Sequence, residues 1–263
     1  MYNYYNYALW IALILFLLSF LISGREVRAK AIIAGLGWIA FSIHWFTQPP
    51  IYLQEIDPFN AFLTFVMAIF SLVVAFSFMT EHKDSLFLLT RVVAIACIFY
   101  FPFASITPLH DALISLNTHC ITEGSRTVFG IKMVLDDPLI YLNNHRVRLI
   151  LGCTAIESIA LFIGVIFGVK ASLDRKLAAF LVSVPVIFVL NVVRNIFVIV
   201  AYSNDWFDGW FGLGSFYVAH NVIAKIGSTI ALIIIAYVVL TILPEVLDLI
   251  EDAWRDIRAI VIG

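Results

Sequence analysis

Long apolar runs recur along the chain, each about as long as a bilayer is thick, with polar residues collected in the breaks between them. Windows of about 19 residues predict about seven spans: Tyr7–Ile22, Ala31–Thr47, Phe59–Met79, Leu86–Phe103, Leu149–Val169, Leu177–Tyr202 and His220–Leu243. The stretch Ala104–Arg148 holds too much Asp, Asn, His, Arg and Pro to cross, and reads as an extramembrane cap with short helices or a re-entrant piece. Pro244–Gly263 alternates Glu245, Asp248, Glu251, Asp252 and Arg255 with Ile, Leu and Trp, as an interfacial amphipathic helix does. The expected fold class is all-α, a polytopic membrane helical bundle. Its parts are a four-helix membrane region (1–103), an extracytoplasmic cap (104–148), a three-helix membrane core (149–243) and a cytoplasmic tail (244–263).

Composition agrees: 62% of the 263 residues are hydrophobic and 13% charged, more apolar surface than a water-soluble core needs. A net charge of −2 and the lack of any basic block argue against a nucleic-acid partner. Three unevenly spaced cysteines make no disulfide framework. The residues before Tyr7 lack the basic region of a cleavable signal peptide. Basic residues set the orientation. Arg25, Arg28 and Lys30, then Lys83 and Arg91, then Lys170, Arg175 and Lys176, then Arg255 and Arg258 fall in alternate loops. Gln48–Pro58 and Ser203–Ala219 contain none; only the long Ala104–Arg148 segment breaks the pattern, and long loops weigh little in the rule. The positive-inside rule then puts the N-terminus outside and the C-terminus inside, in the cytoplasmic membrane.

That topology gives three unusual residues one address. Cys153 opens the fifth span, His220 opens the seventh, and Arg194 lies eight residues before Tyr202, roughly 12 Å below the outer end of the sixth. An Arg inside a span costs about 2.5–3.5 kcal/mol on insertion scales and marks function by default. Arginine stays protonated, so it serves as a fixed cation for a thiolate or an oxyanion, not as a base. A histidine near neutrality is a natural proton shuttle for a thiol and a leaving amine. Asn191 shares a helix face with Arg194, and Asn221 and Lys225 follow His220. Against these stand plainer readings. Cys153 is a buried structural cysteine, as Cys97 is in the fourth span, or Cys120 closes a disulfide with it. Arg194 pairs with Glu157, one turn deeper than Cys153, and Lys225 snorkels to the interface. Ala160, Gly164 and Gly168 form a small-residue stripe for close helix packing, and Pro185 kinks the sixth span. Asp205–Phe211 resembles an aromatic lid at the interface. His110, Asp111, His119 and Cys120 match no standard metal spacing; no metal or other cofactor is expected.

The ordered pieces Gly152-Cys153-Thr154-Ala155, Asn191-Val192-Val193-Arg194-Asn195 and His220-Asn221-Val222-Ile223-Ala224-Lys225 resemble the exosortase/archaeosortase family of membrane transpeptidases. Leu243-Pro244-Glu245 resembles the end of the archaeosortase A type. The likeness runs from about Leu149 to Glu245; the first four spans match only in being apolar. It implies a cysteine enzyme that cuts a C-terminal sorting signal of secreted surface proteins: a short Pro-Gly-Phe motif, a membrane helix and a basic tail. The new C-terminus is then joined to a membrane lipid. Carried onto this chain, the likeness makes Cys153 the nucleophile, Arg194 the stabilising cation and His220 the acid/base, with Asn191, Glu157, Asn221 and Lys225 in support. In the family the third position is His or Arg.

A transporter or channel with a path lined by Asn191, Arg194, Glu157 and Lys225 is the alternative from another class. It would show an internal repeat, and the two halves show none. A retinal receptor fails because Lys225 lies too near the outer end of its span and the third span holds no Asp or Glu.

Overall fold

A computed structural model describes residues 5–262 apart from Gly24, Glu55 and Glu81; the Met1–Tyr4 stretch weighed for a signal peptide lies outside them. Five helices are long and apolar enough to cross a membrane: Val27–Gln54, Pro58–Thr80, Asp84–Ser105, Leu173–Ser203 and Ser215–Ile242. Two shorter apolar helices, Tyr7–Leu21 and Ile156–Gly168, fall on the other two expected spans. The helical membrane bundle read from the sequence is thus the architecture, and the chain divides into two compact units that interleave in sequence.

The first unit holds residues 1–98, 164–170 and 244–263. Its helices are α1 (Tyr5–Leu21), α2 (Val27–Thr47), the short α3 (Pro49–Gln54), α4 (Pro58–Thr80) and most of α5 (Asp84–Ser105). Phe41 meets both Phe16 and Trp38 edge to face, and Trp38 Nε1 donates to Thr90 Oγ1 at 2.9 Å. That bond supplies the partner that a buried indole N–H requires.

The second unit holds residues 99–163 and 171–243. It departs from the expectation for the cap, most of which is one helix, α6 (Thr107–Phe129). The helix starts with Pro108 in its first turn and ends at Gly130 in the left-handed region, φ 68°. Its buried stripe is Ile114, Asn117, Thr118, Ile121, Thr122 and Ser125. Helical periodicity is present, but carried by small polar residues that a hydropathy window misses. Three short antiparallel strands follow, β1 (Val134–Asp136), β2 (Leu139–Leu142) and β3 (His145–Arg148). Two-residue turns join them, and Asn143 takes the positive φ (53°) that such a turn needs. This sheet is a small addition to a helical fold, and it fixes the approach to Cys153.

Beyond β3 the expected fifth span shortens to α7 (Ile156–Gly168), and the sixth lengthens to α8 (Leu173–Ser203), which continues through Pro185. The seventh does not begin at His220. A short α9 (Ser215–Tyr217) runs through a π-helical turn, Val218–Ile223, into α10 (Ala224–Ile242). The tail is α11 (Pro244–Ile262), amphipathic as expected, with Val246, Leu249, Ala253 and Ile257 buried. Within the first unit the glycine stripe packs as read. A Cβ at Gly164 would lie 2.5 Å from the Val92 carbonyl, and one at Gly168 2.4 Å from a Val92 methyl. Only glycine lets these backbones approach so closely.

Candidate active site

Cys153 is not in an α-helix. It ends a 3₁₀ turn, Leu151–Cys153, and α7 starts three residues later. The turn is closed by Cys153 N–H to Ile150 O at 2.9 Å and by Thr154, whose Oγ1 donates to Leu151 O at 2.7 Å. Ala155 then takes φ 58°, a left-handed conformation that a non-glycine residue adopts at some energetic cost. A strand, a strained turn and a helix thus follow one another, with the thiol at the turn. Because Cys153 precedes α7, Glu157 is not one helical turn below it, and among the described residues the alternative pairing of Glu157 with Arg194 does not form. Glu157 is exposed, and Tyr100 Oη donates to its Oε1 at 3.5 Å.

The shortness of α7 has a consequence. At 1.5 Å per residue its 13 residues reach roughly 20 Å, against about 30 Å of hydrocarbon. Non-helical backbone beside a span must find partners within the protein. Asn191 and Asn195, one turn apart on α8, supply them: their Nδ2 groups both donate to Cys153 O, at 2.7 and 2.9 Å. Both amides are nearly buried, 8% and 5% exposed. Asn191 is therefore committed to the cysteine backbone and does not line an open path. Asn195 was not singled out in the sequence; its four-residue spacing from Asn191 was the available signal.

Arg194 lies between the two asparagines and interacts electrostatically with Cys153. Its Nε is buried and has no hydrogen-bond partner among the described residues. A guanidinium with an unused, water-shielded donor beside a thiol is an anion site in waiting. The cysteine sits half-buried against a cluster that includes Ile121, Ile140, Leu149, Ile196 and Ile199, which the sheet, α6 and α8 supply together.

His220 lies inside the π turn, which packs against α8. Such turns widen a helix locally and recur at functional sites. The imidazole stacks flat on Phe216, 10° between planes and 5.3 Å between centroids, and Phe216 meets Tyr202 edge to face. His220 Nδ1 bonds Asn221 Oδ1 at 2.9 Å. An amide oxygen only accepts, so Nδ1 donates and neutral His220 keeps its lone pair on Nε2. Lys225 falls in the first turn of α10.

The family model described as Transmembrane exosortase (Exosortase_EpsH) matches residues 2–223. The chain belongs to the exosortase family. Two proteins named Archaeosortase A are among its relatives. The one from Haloferax volcanii is 26% identical over 274 residues, 92% of this chain and 90% of its own length. The one from Natronomonas pharaonis is 26% identical over 271 residues, 92% and 86% of the two chains. No solved structure matches significantly. Membership extends the likeness read from the second half across the first four spans as well, and makes the chain a membrane-embedded processing enzyme.

All three cysteines are free, so Cys120 and Cys153 are not joined. Among the described residues no three His, Cys, Asp or Glu side chains converge as a metal site would need. The Asp205–Phe211 loop lays Trp206 and Phe207 against Phe197, three residues past Arg194 on α8.

Proposed function

We propose that this exosortase-family protein is a cysteine transpeptidase in which Cys153 attacks the sorting-signal peptide of a secreted surface protein and Arg194 stabilises the charge that develops. The observation that carries this reading is the unspent Arg194 Nε beside a thiol whose backbone is clamped from the same helix.

The chemistry runs in two halves. The Cys153 sulfur, as thiolate, adds to the scissile carbonyl carbon, and the carbonyl electron pair moves onto oxygen, where Arg194 faces it. His220 Nε2 takes up the Cys153 thiol proton as the thiolate forms; collapse then breaks the C–N bond, the departing amine takes that proton back from His220, and the protein is left as a thioester on Cys153. A nucleophile on a membrane lipid then adds to the thioester, His220 accepts its proton through Nε2, and the thiolate departs. Two asparagines on one carbonyl also satisfy stranded backbone, but that role alone leaves the Arg194 donor without a purpose.

The distribution of Lys and Arg supports an N-terminus outside, a C-terminus inside and a site facing the extracytoplasmic side of the cytoplasmic membrane. There the site would meet both the juxtamembrane peptide of a substrate and a lipid headgroup. The test is a tagged protein carrying a Pro-Gly-Phe, helix and basic-tail signal, co-expressed with wild type, Cys153→Ala, Arg194→Ala and His220→Ala, its C-terminus read by mass spectrometry. Helix loss with a lipid adduct in wild type alone is the expected result; helix loss with Cys153→Ala would overturn the assignment.

A further inference from the structure

The three-stranded sheet of the second unit has an open edge that leads to the nucleophile. Strand order is β1-β2-β3, so β3 pairs with β2 on one side and with no strand on the other. The ladder runs on past its last residue, because Leu149 N–H donates to Pro138 O at 3.0 Å. Ile150 is extended as well (φ −126°, ψ 170°), and the next residue opens the turn that carries Cys153. Extended backbone therefore covers His145 to Ile150, roughly 20 Å at about 3.3 Å per residue, and stops where the thiol turn begins.

The ladder fixes which groups face the open side. Residues that bond across an antiparallel pair alternate with residues that bond away from it, and Leu149 bonds across. Val147 and His145 therefore bond to Ile140 and Leu142, while the N–H and C=O of Arg146 and Arg148 point outward. Ile150 N–H points the same way. No bond from outside the sheet reaches any of these three N–H groups among the described residues. Side chains sort similarly. Val147 and Leu149 turn onto the cluster around Ile121 and Ile199, whereas Arg146, Arg148 and Ile150 are exposed. Neither arginine has a carboxylate oxygen within 4.0 Å among the described residues. Asp136, on the same face, is two strands away on β1. Like charge on two arginines keeps a second copy of this strand from pairing here, but it does not repel an acidic strand.

From this placement we infer that β3 is the docking edge for the substrate: the peptide on the N-terminal side of the scissile bond adds as a fourth strand, its acidic side chains against Arg146 and Arg148. The inference rests on Cys153 as the nucleophile. Strand addition draws affinity from main-chain bonds and leaves selectivity to alternate side chains. Direction follows from topology. β3 leads from the cap into apolar α7, and a surface protein leads from its domain into its own span, so the two strands run parallel. About five residues of peptide lie along Arg146 to Ile150, and the bond that follows them reaches the Cys153 turn. The opposite edge, β1, leads back to α6 and away from the thiol.

Fluorescence anisotropy of a labelled signal peptide binding to full-length Cys153→Ala in detergent tests this without turnover. The peptide carries alternate Glu residues over the eight positions before Pro-Gly-Phe, and each position is N-methylated in turn. Affinity should fall about tenfold or more at every second position over a run of about five residues, and little between them. Lys in place of the Glu residues should weaken binding about tenfold, a difference that Arg146→Gln/Arg148→Gln should abolish. A peptide bound no more tightly than its methylated forms, or losses without the two-residue period, would overturn the docking edge. Equal binding of the Glu and Lys peptides would overturn its acidic preference. Cleavage of the unmethylated peptide by wild type and Cys153→Ala, followed in parallel, bears on the nucleophile alone: equal cleavage by both would overturn the cysteine reading whatever the methyl scan shows.

Discussion

Removing the asparagine clamp on Cys153 is the most informative perturbation. Asn191→Ala or Asn195→Ala deletes one of two neutral hydrogen bonds to the Cys153 carbonyl, each with a net value of about 0.5–1.5 kcal/mol. If the clamp sets the position of the sulfur, each single variant should slow acylation about twofold to tenfold. The double variant also strands a polar group in an apolar setting, a further cost of about 1–3 kcal/mol. Its loss should therefore exceed the product of the singles and reach roughly a hundredfold or more. Asn195→Asp should be worse than Asn195→Ala, since a carboxylate oxygen would face a carbonyl oxygen. The assay is single-turnover cleavage of a signal peptide by purified protein, with thermal unfolding in parallel to separate misfolding from misplacement. Wild-type acylation in the folded double variant would refute the positioning role and leave only backbone satisfaction.

Replacing the stabilising cation should be harsher: Arg194→Gln is expected to lower kcat about 10²–10³-fold, with Arg194→Lys between it and wild type, measured by the same single-turnover assay. Phe216→Ala removes the flat partner of His220 and should reduce kcat about twofold to tenfold with KM little changed, while Phe216→Tyr retains activity; steady-state kinetics on signal peptides checks both. Gly168→Ala forces a methyl to within 2.4 Å of Val92 and should destabilise the protein by about 1–3 kcal/mol, read as a lowered unfolding temperature in detergent.

The apolar framework was legible in the sequence because hydropathy over a helix-long window is a strong signal, and each expected span has a helix on it. The order Cys153, Arg194, His220 was legible because polar groups in apolar helices stand out. What escaped lay where period and polarity conflict. Helix α6 buries Asn117, Thr118 and Ser125, so its stripe reads as polar loop. The turn at Cys153 sits in an apolar run that a window extends into helix, although Ala155 breaks it by a positive φ that no residue type announces. The π turn at His220 has the composition of an ordinary helix. Asn195 escaped because its role depends on a carbonyl that an intact helix would have satisfied itself.

The central claim is that Cys153 forms a covalent bond to substrate, and acid-quenching the purified protein within its first turnover on a Pro-Gly-Phe signal peptide tests it directly. Mass mapping should find the N-terminal product on the Cys153 peptide as a thioester that hydroxylamine releases. Turnover of the peptide without that adduct, and equally by Cys153→Ala, would contradict the account.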